Sequence, residues 1–274
     1  MLGKLIKHEF IQTSKSLVAV YLAACAAMGV LLISYVTKIT MIGVTASVAL
    51  VIIGFVAIII TLVMVIKNFN DSLYGSQGYL TFTLPVKSRD ILFSKFFVSF
   101  VWIIVGYILM LLTWVIVFFF ARAKSEGMLE TITGMIQGLD AASSLPTMSL
   151  VIKYAAIVLS GYGVTVISYI SFVFFSVTLA NTKHFQHKTL LFGLIFFFVV
   201  YAVNKGVSTY LTYKLPLSVT VYADRISLTA VSMFDGVENA LLTTGIGGSI
   251  FTALLAALLL IVTGRIMEKR VNVK

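Results

Sequence analysis

The chain has 274 residues, of which 60% are hydrophobic and only 11% are charged, and its net charge is +10. A soluble domain is typically about 45–50% apolar and roughly 25% charged, so the composition excludes an ordinary soluble protein. It predicts an all-α polytopic membrane protein. A spanning helix needs about 20 apolar residues to cross about 30 Å of hydrocarbon. On this criterion we predict one transmembrane domain with six spans, at residues 17–36, 44–66, 96–120, 151–180, 189–205 and 246–264.

The segment ahead of the first span has the pattern of a short amphipathic helix. One arc of it is apolar and the opposite side is basic: Leu2, Leu5, Ile6 and Phe10 against Lys4, Lys7 and His8. We expect a separate elbow helix that lies in the membrane plane. Glu9 falls inside the apolar arc, where it is either a solvated carboxylate at a frayed end or the partner of a cation. We predict that Glu9 pairs with a basic residue of a partner or of the cytoplasmic insert described next.

A polar insert, residues 67–90, joins the second and third spans. It carries apolar side chains that are poorly placed in water, and exposed apolar clusters usually mark contact surfaces: Leu73, Tyr74, Tyr79, Leu80 and Phe82. Asp71 or Ser72 is suited to cap a short helix that begins at Leu73. Asp90 is expected in the first turn of the next helix, where the helix dipole favours an anion. We therefore expect the insert to dock on a soluble partner.

The basic residues indicate an orientation. If both termini lie on one side, that side carries thirteen of the twenty Lys and Arg residues, and the positive-inside rule places it in the cytoplasm. Dispersed over several loops, these charges favour contact with anionic lipid headgroups and not a nucleic-acid partner. Two extracytoplasmic segments follow from this topology. Residues 121–150 carry a helical apolar stripe, and residues 205–245 include the alternation of a short β-hairpin at residues 217–228.

Motifs for catalysis and for nucleotide binding are missing from the sequence. There is no Gly-x-x-x-x-Gly-Lys-[Ser/Thr] phosphate loop, so any ATP and Mg²⁺ must be bound by another chain. A His-Glu-x-x-His pair is also missing. His184 and His187 stand three apart without further ligands, and Cys25 is the only cysteine, so we predict no metal site, cofactor or catalytic residue on this chain.

The spans contain few ionisable residues, which are the usual mark of ion pathways and proton relays. Lys153 and Lys205 lie near span ends, which disfavours ion-coupled transport. Small polar and tyrosine side chains occupy the spans instead. These serve ordinary helix packing in many membrane proteins, but a subset is our candidate for a substrate path: Tyr107, Ser168, Tyr169 and Ser171.

Two segments resemble the ABC-2-type permeases, the membrane subunits of ATP-binding-cassette exporters. They are residues 2–11, where that family has an elbow helix, and residues 73–95, where it has a coupling helix between spans two and three. The stretch from Leu84-Pro85-Val86 through Ser88, Ile91 and Leu92 to Lys95 carries the resemblance most directly. By this resemblance, the ATPase-contacting residues are Leu73, Tyr74, Gly75, Gln77, Gly78, Tyr79 and Leu80, and the elbow residues are Lys4, Lys7, Glu9 and Phe10.

The resemblance implies a permease subunit in the bacterial cytoplasmic membrane, with cytoplasmic termini. Its partners would be a second copy of the chain and two copies of an ATPase subunit that binds ATP and Mg²⁺. The implied cargo is an amphipathic or hydrophobic molecule, best represented by an antimicrobial or cytolytic peptide. Drug or bacteriocin resistance and lipid export are alternatives of the same class. An integral membrane enzyme and a non-transporting scaffold or sensor are alternatives of other classes.

Overall fold

The structure is a computed structural model that describes residues 2–36, 40–75, 78, 88–126, 130, 133–134, 137, 147–182, 185, 188–222, 225–232 and 242–270. Its long helices and its strands are α1 Leu2–Val36, α2 Thr40–Leu73, α3 Ser88–Glu126, α4 Thr147–Ala180, α5 Thr189–Lys214, β1 Ser218–Val221, β2 Ile226–Thr229, β3 Leu242–Gly245 and α6 Gly247–Arg270. Six helices of this described part are long and apolar enough to cross a membrane. The predicted class, an α-helical multi-pass membrane protein, is confirmed.

Helix α1 corrects the prediction of a separate elbow helix. It runs without interruption from Leu2 to Val36, so residues 2–11 and the first span form one helix of about 52 Å at 1.5 Å per residue. The amphipathic pattern itself is confirmed, because Lys4 and Lys7 are exposed while Phe10 is half-buried. The linking residues 12–16 are polar but include no glycine or proline to end the first helix, so the two segments join.

Helix α2 corrects the prediction that a new helix begins at Leu73. The helix continues through Asp71 and Ser72 and ends at Leu73, so these two residues lie in its last turn and not at an N-cap. The cause is the apolar periodicity: Val65, Phe69 and Leu73 follow at intervals of four and all are buried. Such spacing keeps one face of a helix against its neighbours.

Helices α3, α4 and α5 each begin or end within three residues of a proline in the sequence, at Pro85, Pro146 and Pro216. Helix α5 ends at Lys214, and Leu215 is extended (ψ 130°) because the residue before a proline, here Pro216, avoids the helical region. The fifth span is therefore longer than the predicted 189–205. The polar pair Asn204 and Lys205 lies inside the helix and does not end it.

The chain divides into two compact units. The first comprises Met1–Leu73 and Leu80–Leu139, and the second comprises Tyr74–Tyr79 and Asp140–Lys274. In the first unit α1, α2 and α3 pack against one another. A small core of this bundle has Leu31, Ala46 and Leu50 at its centre. Close approach is possible here because Gly54 has no side chain, since a Cβ atom at this position would lie 2.7 Å from the Thr113 hydroxyl.

In the second unit α4, α5 and α6 pack against one another beside a three-stranded antiparallel sheet with the order β2-β1-β3. The predicted hairpin is confirmed as the β1–β2 pair, in which Val219 faces Leu228. Strand β3 was not predicted. It pairs with the other edge of β1, and the Thr244 hydroxyl lies 3.2 Å from the Tyr154 hydroxyl of α4. The apolar stripe expected at residues 121–150 (Met128, Ile132, Met135, Ile136, Leu139) lies outside the described residues.

Candidate functional site

A buried ion pair joins the start of α1 to the start of α3 in the first unit. The Lys95 ammonium lies 2.5 Å from Glu9 Oε1, and the two side chains are 2% and 13% exposed. The second carboxylate oxygen, Oε2, accepts a hydrogen bond from the Asn68 side-chain amide at 3.0 Å. One carboxylate thus holds residues of three helices, because Asn68 belongs to α2.

Further hydrogen bonds continue this cluster along α1. Thr13 donates to the Glu9 carbonyl at 2.8 Å and accepts from the Trp102 indole N–H at 2.8 Å. About two turns further along α1, the Tyr21 hydroxyl lies 3.4 Å from the Trp102 carbonyl and 3.3 Å from the Thr61 hydroxyl. We call the set Glu9, Thr13, Tyr21, Thr61, Asn68, Lys95 and Trp102 the polar ladder. Each polar group of the ladder thus has a hydrogen-bond or ion-pair partner within the first unit.

The prediction that Glu9 pairs with a basic residue is confirmed, but the predicted location is not: the partner is Lys95 of α3, beyond the insert that ends at residue 90. Sequence analysis missed Lys95 because it precedes the predicted third span by one residue. A signal was present. Ile91, Leu92, Lys95 and Val98 follow at helical spacing, and all are buried, so the lysine lies on the inward face of α3. A buried lysine needs an anion nearby, and Glu9 is that anion.

The segment from Leu73 onward was expected to expose apolar side chains that bind a partner. For two of these side chains the predicted exposure is wrong. Leu73 and Tyr74 are 0% and 4% exposed. Tyr74 belongs to the second unit, where its hydroxyl donates to Thr178 Oγ1 at 2.8 Å. Burial raises the pKa of the Tyr74 phenol, more than the hydrogen bond to Thr178 lowers it, so the phenol keeps its proton and remains a donor.

The rest of that segment is described only in part. Gly75 is half-buried, and Gly78 is buried and donates its N–H to the Gly75 carbonyl at 2.9 Å. Gln77, Tyr79 and Leu80 lie outside the described residues, as do His184 and His187. The first turn of α3 contains Asp90, as predicted.

The second unit contains a polar cavity of about 90 Å³ between α4, α5 and α6. Its walls carry hydroxyl, phenol and amide groups and one cation, and the described lining contains no carboxylate: Val164, Thr165, Ser168, Tyr169, Phe172, Tyr201, Asn204, Lys205, Ser208, Thr212, Ser249 and Thr252. The rings of Tyr169 and Tyr201 stack with centroids 5.9 Å apart. Lys205 Nζ lies 5.7 Å from the centroid of Tyr201, within the range of a cation–π contact.

Glycines let α6 approach α5 closely below this cavity. A Cβ atom on Gly247 would lie 2.8 Å from the Leu211 carbonyl, and one on Gly248 would lie 2.6 Å from Ser208 Oγ. Small residues at helix interfaces permit such approach in membrane proteins. The Gly247-Gly248 pair therefore fixes Ser249 and Thr252 at the wall of the cavity.

Two of the four predicted path residues lie at the cavity and two do not. Ser168 and Tyr169 line it. Ser171 is buried and donates to the Ile167 carbonyl at 2.8 Å, which is the local bond of a packing serine. Tyr107 belongs to the first unit and is 42% exposed. The cavity residues from α5 and α6 were not predicted, because their convergence depends on the packing of three helices.

Compared with protein-family models, curated proteins and solved structures, the chain matches none of them.

Proposed function

We propose that this chain is the membrane subunit of an ATP-binding-cassette exporter of the ABC-2 type. The observation that carries the proposal is the Glu9–Lys95 ion pair, 2.5 Å long. Glu9 belongs to residues 2–11 and Lys95 closes residues 73–95, and these are the two segments on which the sequence resemblance rests. Two segments far apart in the sequence are thus bonded to each other at one end of the first unit.

The mechanical argument follows from this bond. An ATPase subunit that pushes on the loop between α2 and α3 must move whole helices if it is to act across the membrane. Because Glu9 also accepts from Asn68, force applied at that loop reaches α1, α2 and α3 together. A carboxylate with two partners is costly to separate from them in a buried site, so the three helix ends respond as one body.

The remaining parts of the proposal come from the resemblance and from the charge pattern. ATP and Mg²⁺ are bound by a separate ATPase subunit, two copies of which join two copies of this chain. The assembly lies in the bacterial cytoplasmic membrane with its termini in the cytoplasm, in agreement with the excess of Lys and Arg on that side. The cargo is an amphipathic or hydrophobic molecule, best represented by an antimicrobial or cytolytic peptide.

The test is to isolate the chain from its native membrane with its bound subunits and to reconstitute the complex in sealed vesicles. We expect an ATPase with a phosphate loop in the complex and outward transport of an amphipathic peptide that requires ATP. Accumulation driven by a proton or sodium gradient without ATP would contradict the proposal. So would an isolated chain that catalyses a reaction and has no ATPase partner.

A variant of Glu9 tests the mechanical argument within the same complex. Glu9→Gln keeps the shape of the side chain but leaves the Lys95 charge unpaired, so we expect more ATP to be hydrolysed per molecule transported. Glu9→Asp retains the charge and should do less harm. The control is Asp90→Asn, which removes an acid at the start of the same helix α3. Equal transport by the Glu9→Gln and Asp90→Asn variants would contradict the role of the ion pair.

A further inference from the structure

The polar cavity of the second unit contains a cation that nothing in the described residues neutralises. No described carboxylate pairs with Lys205, and none of the described lining residues is acidic. A lysine inside a membrane-spanning helix is costly unless it meets an anion, a water-filled space or the interface, and such residues commonly mark a binding site. Lys205 is exposed where it lines the cavity, so an anion from outside the chain can reach its ammonium.

The hydrogen-bonding groups of the cavity define that occupant further. Asn204 is buried, and its side-chain oxygen accepts from Thr252 at 3.2 Å, which leaves its NH₂ group as a donor in the cavity that Lys205 also lines. The hydroxyls of Thr165, Ser168 and Thr212 already donate to main-chain carbonyls at 2.7–3.0 Å. Those hydroxyls can still accept hydrogen bonds. An anion with neighbouring hydroxyl groups satisfies both sets.

With the hydrocarbon layer taken to begin at Thr189, the first residue of α5, the cavity falls near the far headgroup layer of a bilayer. Lys205 lies sixteen residues after Thr189, about 24 Å along the helix at 1.5 Å per residue, where the hydrocarbon layer is about 30 Å thick. A lysine stem of four carbons carries its ammonium the remaining distance to the phosphates. The volume of about 90 Å³ exceeds several-fold the roughly 10–15 Å³ that one water molecule needs, so it has room for a small headgroup.

A shallow apolar groove leads along α5 towards the cavity. It is lined by exposed side chains of the first half of the helix: Leu190, Leu191, Leu194, Ile195, Phe198 and Val199. Leu191, Phe198 and Lys205 are spaced by seven residues and so share one face of the helix. An acyl chain in this groove would point into the bilayer while its headgroup reaches Lys205.

We propose that the cavity binds the headgroup of an anionic glycerophospholipid that carries free hydroxyls, as phosphatidylglycerol does. The phosphate contacts Lys205 and the amide of Asn204, the headgroup hydroxyls donate to the threonine and serine side chains, and one acyl chain lies along α5. This inference does not depend on the exporter assignment, because it concerns a lipid that stays bound to the second unit whatever the protein transports.

The test measures which lipids the purified chain retains. Chain reconstituted in nanodiscs of equal phosphatidylglycerol and phosphatidylcholine is extracted into detergent, and the bound lipids are quantified by mass spectrometry. We expect enrichment of phosphatidylglycerol. With Lys205→Gln the enrichment should fall about fivefold, which corresponds to the loss of about 1 kcal/mol for one lysine at an anionic surface. Lys205→Arg should retain most of it.

The matched control is Lys153→Gln, which removes an exposed lysine of α4 that does not line the cavity. Equal enrichment in the Lys205→Gln and Lys153→Gln variants would overturn the site. In a second set of nanodiscs, phosphatidic acid replaces phosphatidylglycerol, and equal enrichment of phosphatidic acid would overturn the hydroxylated headgroup. Two results would overturn the lipid as occupant: inorganic phosphate that raises the melting temperature of Lys153→Gln but not of Lys205→Gln, without any lipid preference, or displacement of the lipid by a peptide with a free carboxylate.

Discussion

The two units contain similar polar side chains and use them in opposite ways. In the first unit the groups of the polar ladder bind one another, from Lys95 and Glu9 to Tyr21 and Thr61. In the second unit the polar groups of α4, α5 and α6 surround open space and leave Lys205 without a described acidic partner. A satisfied buried network fixes one arrangement of helices, whereas a polar cavity lined by an exposed cation is open to a ligand.

This difference explains why we assign different roles to polar residues of the same types in the two units. A polar residue in a membrane helix is uninformative alone, because it serves packing as readily as binding. The role of such a residue depends on the group that its side chain contacts. Glu9 and Trp102 have theirs in neighbouring helices, so we assign them to holding the first unit together. Lys205 and Asn204 face a cavity, so we assign them to binding.

The largest effect should come from breaking the closed network. Lys95→Met removes the cation and leaves the Glu9 carboxylate buried, and we expect a loss of about 3 kcal/mol, the lower end of the range for such pairs, because Glu9 retains some exposure. Thermal unfolding in detergent micelles measures it. The double variant Glu9→Gln, Lys95→Met should be less destabilised than Lys95→Met alone. If the two substitutions are additive, the ladder does not depend on the pair.

A smaller loss of stability should follow from a substitution that prevents the close approach of α6 to α5. Gly248→Ala places a Cβ atom 2.6 Å from Ser208 Oγ, and overpacking of this kind costs about 1–3 kcal/mol. It should also reduce lipid retention, because Ser249 and Thr252 shift with α6. The measurements are unfolding in detergent and the lipid analysis described above.

The matched control for that substitution is Gly206→Ala in α5. Nothing lies within 4 Å of a Cβ atom at Gly206, so the variant should be neutral or more stable, by up to about 1 kcal/mol from helix propensity. Equal effects of the two substitutions would show that the helices do not meet at Gly248 as described.

The smallest expected effect tests the assignment of Tyr74 to the interior of the second unit. Tyr74→Phe removes the hydrogen bond to Thr178, and we expect a loss of about 1 kcal/mol in the stability of the purified chain. Tyr107→Phe, at an exposed tyrosine, should change nothing. A different result would support the original prediction of an exposed anchor. In that case Tyr74→Phe leaves the stability of the isolated chain unchanged but weakens binding of an ATPase subunit, and Tyr74 is not buried as the structure has it.

Local features of the sequence were sufficient for the elements themselves. The membrane class, the six apolar helices and the β1–β2 hairpin all follow from hydropathy and periodicity, which act over a few residues. The same reasoning failed at helix junctions. The predicted fifth span ended at residue 205, whereas α5 continues to Lys214, because a helix tolerates polar side chains when they face a cavity.

Tertiary structure alone decided which polar residues meet. From the sequence Glu9 was predicted to pair with a cation, with a solvated helix end as the alternative, but Lys95 lies 86 residues away, and only the packing of α3 against α1 selects it. The cavity depends in the same way on residues from three helices. Hydropathy determines that a segment enters the membrane, whereas the contacts that give its polar groups partners, or deny them, arise only when the helices pack.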